Sequence, residues 1–226
     1  MRKELEKNID LDYKRGVQGF FKEDIKVYGA RTPMVRKIAR KYFPKESKDK
    51  VFALAEKLLK TDYQEDSIIA FQWMVRFKGK YEKKDFFFFE KCLKKYVNNW
   101  AKCDDFCCHV FGYFLLQYPC FLKRLQKWTK SKNRWERRAS AVCLIPLVKQ
   151  EKKYLKDVFL IADLLLQDKD DLVQKGSGWL LKEASNFYQK EVFDFVMKRK
   201  GVMPRTALRY AIEKMPSNLK KKAMQV

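Results

Sequence analysis

Apolar residues recur along most of the chain at the spacing of a helix. In residues 51–60, VFALAEKLLK, Val51, Leu54, Ala55, Leu58 and Leu59 fall on one face. Residues 154–166, YLKDVFLIADLLL, are nearly all apolar and predict a buried helix. The phenylalanine run Phe86–Phe89 has the composition of a strand, but its flanks read differently. Asp85 before it suits an N-cap, and EKCLKKYV after it continues a helix. This segment is predicted as a helix buried on several sides. Trp73, Trp128 and Trp135 fall on helical spacing and are assigned to the core. No segment alternates polar and apolar residues at the period of a strand, so the chain is predicted to be all-α.

Similar loop-to-helix junctions return along the chain. They are TDYQEDSIIAF (61–71), NNWAKCDDFCCHVFG (98–112), SKNRWERRASAV (131–142), KDDLVQKGSGW (169–179) and KGVMPRTALRY (200–210). Taking Asp66, Asp104, Arg138, Lys175 and Arg205 as marks, the spacings are 38, 34, 37 and 30 residues. An upstream counterpart is GARTPMVRKIARKYF (29–43), where Thr32 is the expected N-cap and Pro33 suits the first helical position. A period of about 30 to 40 residues with two helices per unit is the signature of a HEAT-like α-solenoid. About six helical pairs are expected, in a single repeat domain over 1–226, with the junction residues lining a basic concave face.

Composition sharpens this picture. Eight Gly and six Pro in 226 residues are too few turn-formers for many short strands. The chain holds 51 Lys and Arg against 28 Asp and Glu, a formal charge of +23 spread along its length. Such a field attracts polyanions over a Debye length of about 8 Å, so nucleic acid is the first expected partner. The N-terminal MRKELEKNIDLDYK is charged and lacks a secretory apolar region, and no apolar run reaches the length of a membrane span. A cytoplasmic protein with free thiols is expected from Cys92, Cys103, Cys107, Cys108, Cys120 and Cys143. Cys103, Cys107, Cys108 and His109 lack the paired spacing of a structural zinc site, so no metal is expected. There is no G-x-x-x-x-G-K-[ST], and no nucleotide cofactor is expected.

The candidate chemistry sits at the junctions. Trp100 and Asp104 are four apart, which puts both on one face of a helix capped by Asn98 or Asn99. Arg134, Arg137 and Arg138 are close enough on one helix to grip phosphate near its start. Trp179 follows Gly176 and Gly178, two residues that are costly inside a helix and mark a close approach by another backbone, protein or DNA.

YGARTPMVRKIA (28–39), NNWAKCDDFCCHVFGYFLLQYP (98–119), NRWERRASAV (133–142), LVQKGSGWLLKE (172–183) and MPRTALRYAIEKM (203–215) together resemble the AlkD-type DNA alkylation repair glycosylases, a family of HEAT-like folds. The resemblance implies excision of positively charged N3- and N7-alkylated purines from double-stranded DNA, in base excision repair and without base flipping. Its catalytic cluster falls on Trp100, Asp104, Arg138 and Trp179. Arg134, Arg137, Lys175, Arg205, Arg31 and Thr32 are the expected DNA contacts of a monomer that needs no cofactor. Asn99 stands where the family's tryptophan doublet would begin, Phe20 where it has a tyrosine, and Asp105 lies beside Asp104 as a second carboxylate. Two other readings belong to different classes: a non-catalytic DNA-binding solenoid that recognises shape or damage, and a protein-interaction scaffold.

Overall fold

The computed structural model describes residues 1–225. Its contacts divide the chain into two compact units, the first from Met1 to Val110 and the second from Phe111 onward. The first unit holds α1 (Arg2–Glu6), α2 (Leu11–Val17), α3 (Thr32–Lys41), α4 (Lys48–Leu59), α5 (Gln64–Val75), α6 (Asp85–Tyr96) and α7 (Trp100–Phe106). A π-helical turn, Cys107–Phe111, continues α7. The second holds α8 (Gly112–Gln117), α9 (Leu122–Trp128), α10 (Arg134–Val142), α11 (Ile145–Val148), α12 (Leu155–Leu164), α13 (Asp171–Ser185), α14 (Gln189–Met197), α15 (Arg205–Ala211) and α16 (Ser217–Met224). Among the described residues there is no β-strand, only the isolated bridges Ile9–Ala30 and Lys26–Tyr63. The all-α expectation holds. The six predicted junctions open α3, α5, α7, α10, α13 and α15, and each is followed by a companion helix before the next junction: α4, α6, α9, α12, α14 and α16.

In the first unit α5 packs against α3, α4 and α7. Val35, Ile38, Ala39, Val51, Ile69 and Trp73 form its core, and the Trp73 indole N–H donates to the Ala39 carbonyl at 2.9 Å. Buried indoles stay in cores when their N–H finds such a partner. On α4, Val51, Ala55 and Leu59 are buried and Leu54 and Leu58 half-buried, the face expected from the pattern. In the second unit α13 is the hub, packed against α10, α12, α14 and α15. Trp128 and Trp135 are buried, as expected.

Gly178 is where α13 and α15 meet. A Cβ there would lie 2.5 Å from the Tyr210 Cβ and 2.7 Å from the Ala207 carbonyl, closer than atoms can approach. The backbone that Gly178 admits therefore belongs to this chain. Gly176 serves a different purpose, because a Cβ there would lie 3.1 Å from Arg138 Cγ.

Four sequence expectations need correction. Asp85 is the first residue of α6, and Lys84 holds the cap position. The Asp85 carboxylate instead reaches back to the Glu82 N–H at 2.8 Å and pairs with Lys48 at 2.7 Å. The phenylalanine helix is buried less completely than expected, since Phe87 is exposed between buried Phe86 and Phe89. The apolar segment 154–166 is helical over Leu155–Leu164, and Leu160 and Leu164 lie on its exposed face. α3 begins one residue earlier than expected: Arg31 occupies the cap position without a side-chain cap, and Thr32 is already helical. Proline in the first turn costs nothing at either register, because its missing N–H would have no intrahelical partner there.

Candidate functional site

The helices carrying the candidate residues open by one device. Asn99 caps α7 through the Lys102 N–H at 2.9 Å, Asn133 caps α10 through Trp135 at 2.9 Å, and Asp170 caps α13 through Leu172 at 2.9 Å. A side-chain oxygen here satisfies one of the donors that a helix start leaves unpaired. Counting from each cap, Asp104, Arg138 and Lys175 are all the fifth residue of their helix. Asp66 and Arg205 fall earlier, at the third residue of α5 and the first of α15.

In the first unit, Trp100 opens α7 and is half-buried. Its indole N–H donates to the Phe20 carbonyl at 3.1 Å, and its ring stacks on Phe21 with centroids 5.3 Å apart and planes 18° apart. Asp104 lies one turn on, half-buried on the same face of α7. Asp105 differs from it. One carboxylate oxygen is 3.7 Å from His109 Nδ1, and the other is buried with no hydrogen-bond partner among the described residues. Burial raises the Asp105 pKa and neighbouring Asp104 adds to the rise, while His109 and Arg36 oppose it. His109 itself is exposed.

The other side of α7 is a staple. Lys102 is fully buried, and its ammonium donates to Asp62 at 2.6 Å and to Asn98 at 3.0 Å. Asp62 has φ 66°, a left-handed conformation that non-glycine residues seldom adopt, and its carboxylate is held there by the Lys102 ammonium and by the Asn98 side-chain amide, which donates to it at 2.8 Å. Burial lowers the Lys102 pKa, and Asp62 opposes the shift.

Arg31 and Thr32 begin α3. Arg31 is exposed, paired with Asp10 at 2.7 Å, with its guanidinium 5.4 Å from the centre of the Tyr13 ring. The loop before it is clamped by Glu65, a buried carboxylate that accepts the N–H groups of Tyr28, Gly29 and Ala30 at 3.0, 2.7 and 3.1 Å. Gly29 takes φ +110° within that clamp. Nothing in the local sequence marks Glu65, because its partners lie some 35 residues away.

In the second unit, α10 and α13 bring Arg134, Arg137, Arg138, Lys175 and Trp179 onto two packed helices. Arg134 is paired with Asp170 at 2.9 Å and Arg137 with Asp168 at 2.7 Å. Arg137 also donates to the Ser131 carbonyl at 2.9 Å. Arg137 borders a depression of about 530 Å³ that is also lined by Thr129, Lys130, Ser131, Asp168, Lys169 and Asp170. Arg138 does not lie on a solvated face. It is 6% exposed, rests over Gly176, and donates from Nη1 to the Leu172 carbonyl. Lys175 is half-exposed with Asp171 at 3.3 Å, and Arg205 is exposed at the start of α15. Trp179 is half-buried, and its indole N–H donates to Glu183 at 3.2 Å.

Cys103 and Cys107 Sγ are 4.0 Å apart in the buried interior. Among the described residues no three His, Cys, Asp or Glu side chains are arranged to hold a metal ion, and no helix is long and apolar enough to cross a membrane.

The chain matches the family model described as DNA alkylation repair enzyme over residues 1–215. No curated protein matches it. Two solved structures are similar in fold. One, a predicted DNA alkylation repair enzyme from Enterococcus faecalis, superposes with a TM-score of 0.80 at 14% identity, covering 93% of this chain and 98% of the other. The second, AlkD2 from Streptococcus mutans, gives a TM-score of 0.63 at 17% identity, covering 92% and 99%.

Proposed function

This chain belongs to the family of DNA alkylation repair enzymes, and on that premise we propose that it is a monofunctional DNA glycosylase for positively charged N3- and N7-alkylated purines, acting in base excision repair on bases that stay stacked. The observation that carries the proposal is on α7: a carboxylate, Asp104, one turn from an indole, Trp100, whose edge and one face are both fixed. Alkylation gives the purine a positive charge and makes it a good leaving group. Departure then needs no general acid, unlike the paired carboxylates of sugar hydrolases. What remains is an oxocarbenium-like sugar and an attacking water. Asp104 stabilises the cation and orients the water. The indole faces of Trp100 and Trp179 favour a cation at contact distance.

Asp104 is a better candidate for this role than Asp105. Burial pushes the Asp105 carboxyl up toward its neutral form, which would not stabilise a cation. Lys102 is the only lysine of α7, and its amine is engaged by Asp62 on the opposite side of the helix, which favours hydrolysis over a Schiff-base lyase route. Charge +23 supports a duplex DNA partner. Arg31, whose ion pair is exposed, can exchange a carboxylate for a phosphate at little cost, since such pairs are worth about 0–1 kcal/mol. Arg134, half-exposed over a nearly buried Asp170, keeps donors on its open side. Arg205 and Lys175 join them as phosphate contacts, and Thr32 adds a hydroxyl beside Arg31. Arg138 holds the α10–α13 seam and Arg137 ties together the loops that precede those helices, and both supply charge from beneath the surface.

Single-turnover release of 7-methylguanine from duplex DNA tests the assignment. Asp104→Asn should lower the rate by about 10²–10³-fold, the usual effect of removing one preorganised electrostatic group. Asp105→Asn should keep most of the rate, and circular dichroism should be unchanged in both. Full rate in Asp104→Asn would remove Asp104 from the chemistry.

A further inference from the structure

We propose that Glu183 is a positioning residue for Trp179: it fixes the rotation of the indole through its N–H and, as a carboxylate behind the ring edge, strengthens the attraction of the ring face for a cation. This rests on the reading of Trp179 as a ring beside the cationic sugar. Glu183 lies one turn after Trp179 on α13 and accepts the indole N–H on Oε1 at 3.2 Å. Its other oxygen, Oε2, is 2.8 Å from Lys149 Nζ, and Lys214 Nζ is 3.6 Å from Oε1. The carboxylate is only 12% exposed, so three groups from three parts of the unit converge on it.

Its charge state fits the role. Burial pushes the Glu183 carboxyl up, but the hydrogen bond and charge of Lys149, the charge of Lys214 and the indole N–H together bring it below its ordinary value. The group is therefore an anion at neutral pH. An indole N–H bonded to an anion carries more electron density on its ring than one bonded to a neutral carbonyl, and a cation over the face responds to that density. Trp100 provides the internal contrast, because its N–H meets a neutral backbone oxygen.

Glu183→Gln keeps an acceptor of the same shape and removes the charge, whereas Glu183→Leu removes both. The base-release assay should show kcat lowered about 3- to 10-fold in Glu183→Gln, from the range of cation–π strengths, and further in Glu183→Leu. KM for the duplex should change less than kcat. In a ¹H–¹⁵N spectrum the Trp179 indole resonance, assigned by its loss in Trp179→Phe, should move upfield in Glu183→Gln while the other four indole resonances stay in place. If Glu183→Leu does not fold, Glu183→Gln and Lys149→Gln, which loosens the carboxylate without removing it, carry the test. Wild-type kcat in both Glu183 variants, or an unmoved Trp179 resonance, overturns the proposal even if the melting temperature falls. If the wild type releases no base, the glycosylase reading fails, and the resonance shift alone decides whether Glu183 holds the ring.

Discussion

Trp100 and Trp179 start from the same construction and end in different surroundings. Each is half-buried on a helix that opens after an Asn or Asp cap. In the first unit the indole is held by a backbone carbonyl and a phenylalanine ring, with a half-buried carboxylate one turn away. In the second unit it is held by a carboxylate that two lysines surround. The fifth position of these helices diverges in the same way. It holds Asp104 half-buried in α7, Arg138 sunk beside Gly176 in α10, and Lys175 paired at the surface of α13. A repeat sets where along a helix a side chain emerges. Whether that side chain meets solvent, a glycine gap or a counter-ion is decided by the neighbouring helices.

The comparison yields three tests of stability, from the largest effect to the smallest. Lys102→Met should destabilise the first unit by about 2–3 kcal/mol, because it removes the charge-assisted hydrogen bonds to the left-handed Asp62 and to Asn98. Urea unfolding measures this, and a change below about 0.5 kcal/mol, the level of an ordinary surface substitution, would show that the staple is decorative. Gly178→Ala should cost about 2 kcal/mol. The gain in helix propensity, up to about 1 kcal/mol, is outweighed by a Cβ driven against the Ala207 carbonyl. Gly176→Ala should cost less, because the atom it meets first belongs to a flexible arginine side chain. Equal costs at the two glycines would erase the distinction drawn between them.

Asp105→Asn should have a small effect of the opposite sign. The folded-state pKa of Asp105 is raised, so the folded protein binds its proton more tightly than the unfolded chain does. Its stability contribution is therefore lost as pH rises above the ordinary carboxylate value of about 3.9 and through the raised folded value. The asparagine variant should melt higher than the wild type at pH 7, and the gain should shrink as pH falls toward 4. A lower melting temperature at pH 7 would show that the buried carboxylate is stabilised by its surroundings.

Local features of this fold were legible in the sequence. Helical periodicity located α4, the recurring loop-to-helix junctions located α10 and α13, and Asn98 or Asn99 marked the start of α7. The spacing of Trp100 and Asp104 placed both on one helix face, because a helix of 3.6 residues per turn allows nothing else. Long-range pairings were hidden. Arg134 and Arg137 read as an open basic cluster because their acidic partners are 36 and 31 residues away. Glu65 gave no signal, since its role is to bind three backbone N–H groups of a distant loop. Gly176 and Gly178 were recognisable as close approaches, but their neighbours, an arginine side chain and the α15 backbone, were not. The exposure of Phe87, Leu160 and Leu164 escaped because an apolar run does not state which side the core lies on.

The central claim is that one carboxylate steadies a sugar whose base leaves because it is already positively charged. Base release by the wild-type protein from two otherwise identical duplexes, one with 7-methylguanine and one with the neutral lesion hypoxanthine, tests this directly. Release of 7-methylguanine alone, with an intact abasic strand as product, is the predicted result. Comparable release of hypoxanthine would require a general acid that the account does not contain, and release of neither base would leave the protein a binder of DNA without glycosylase chemistry.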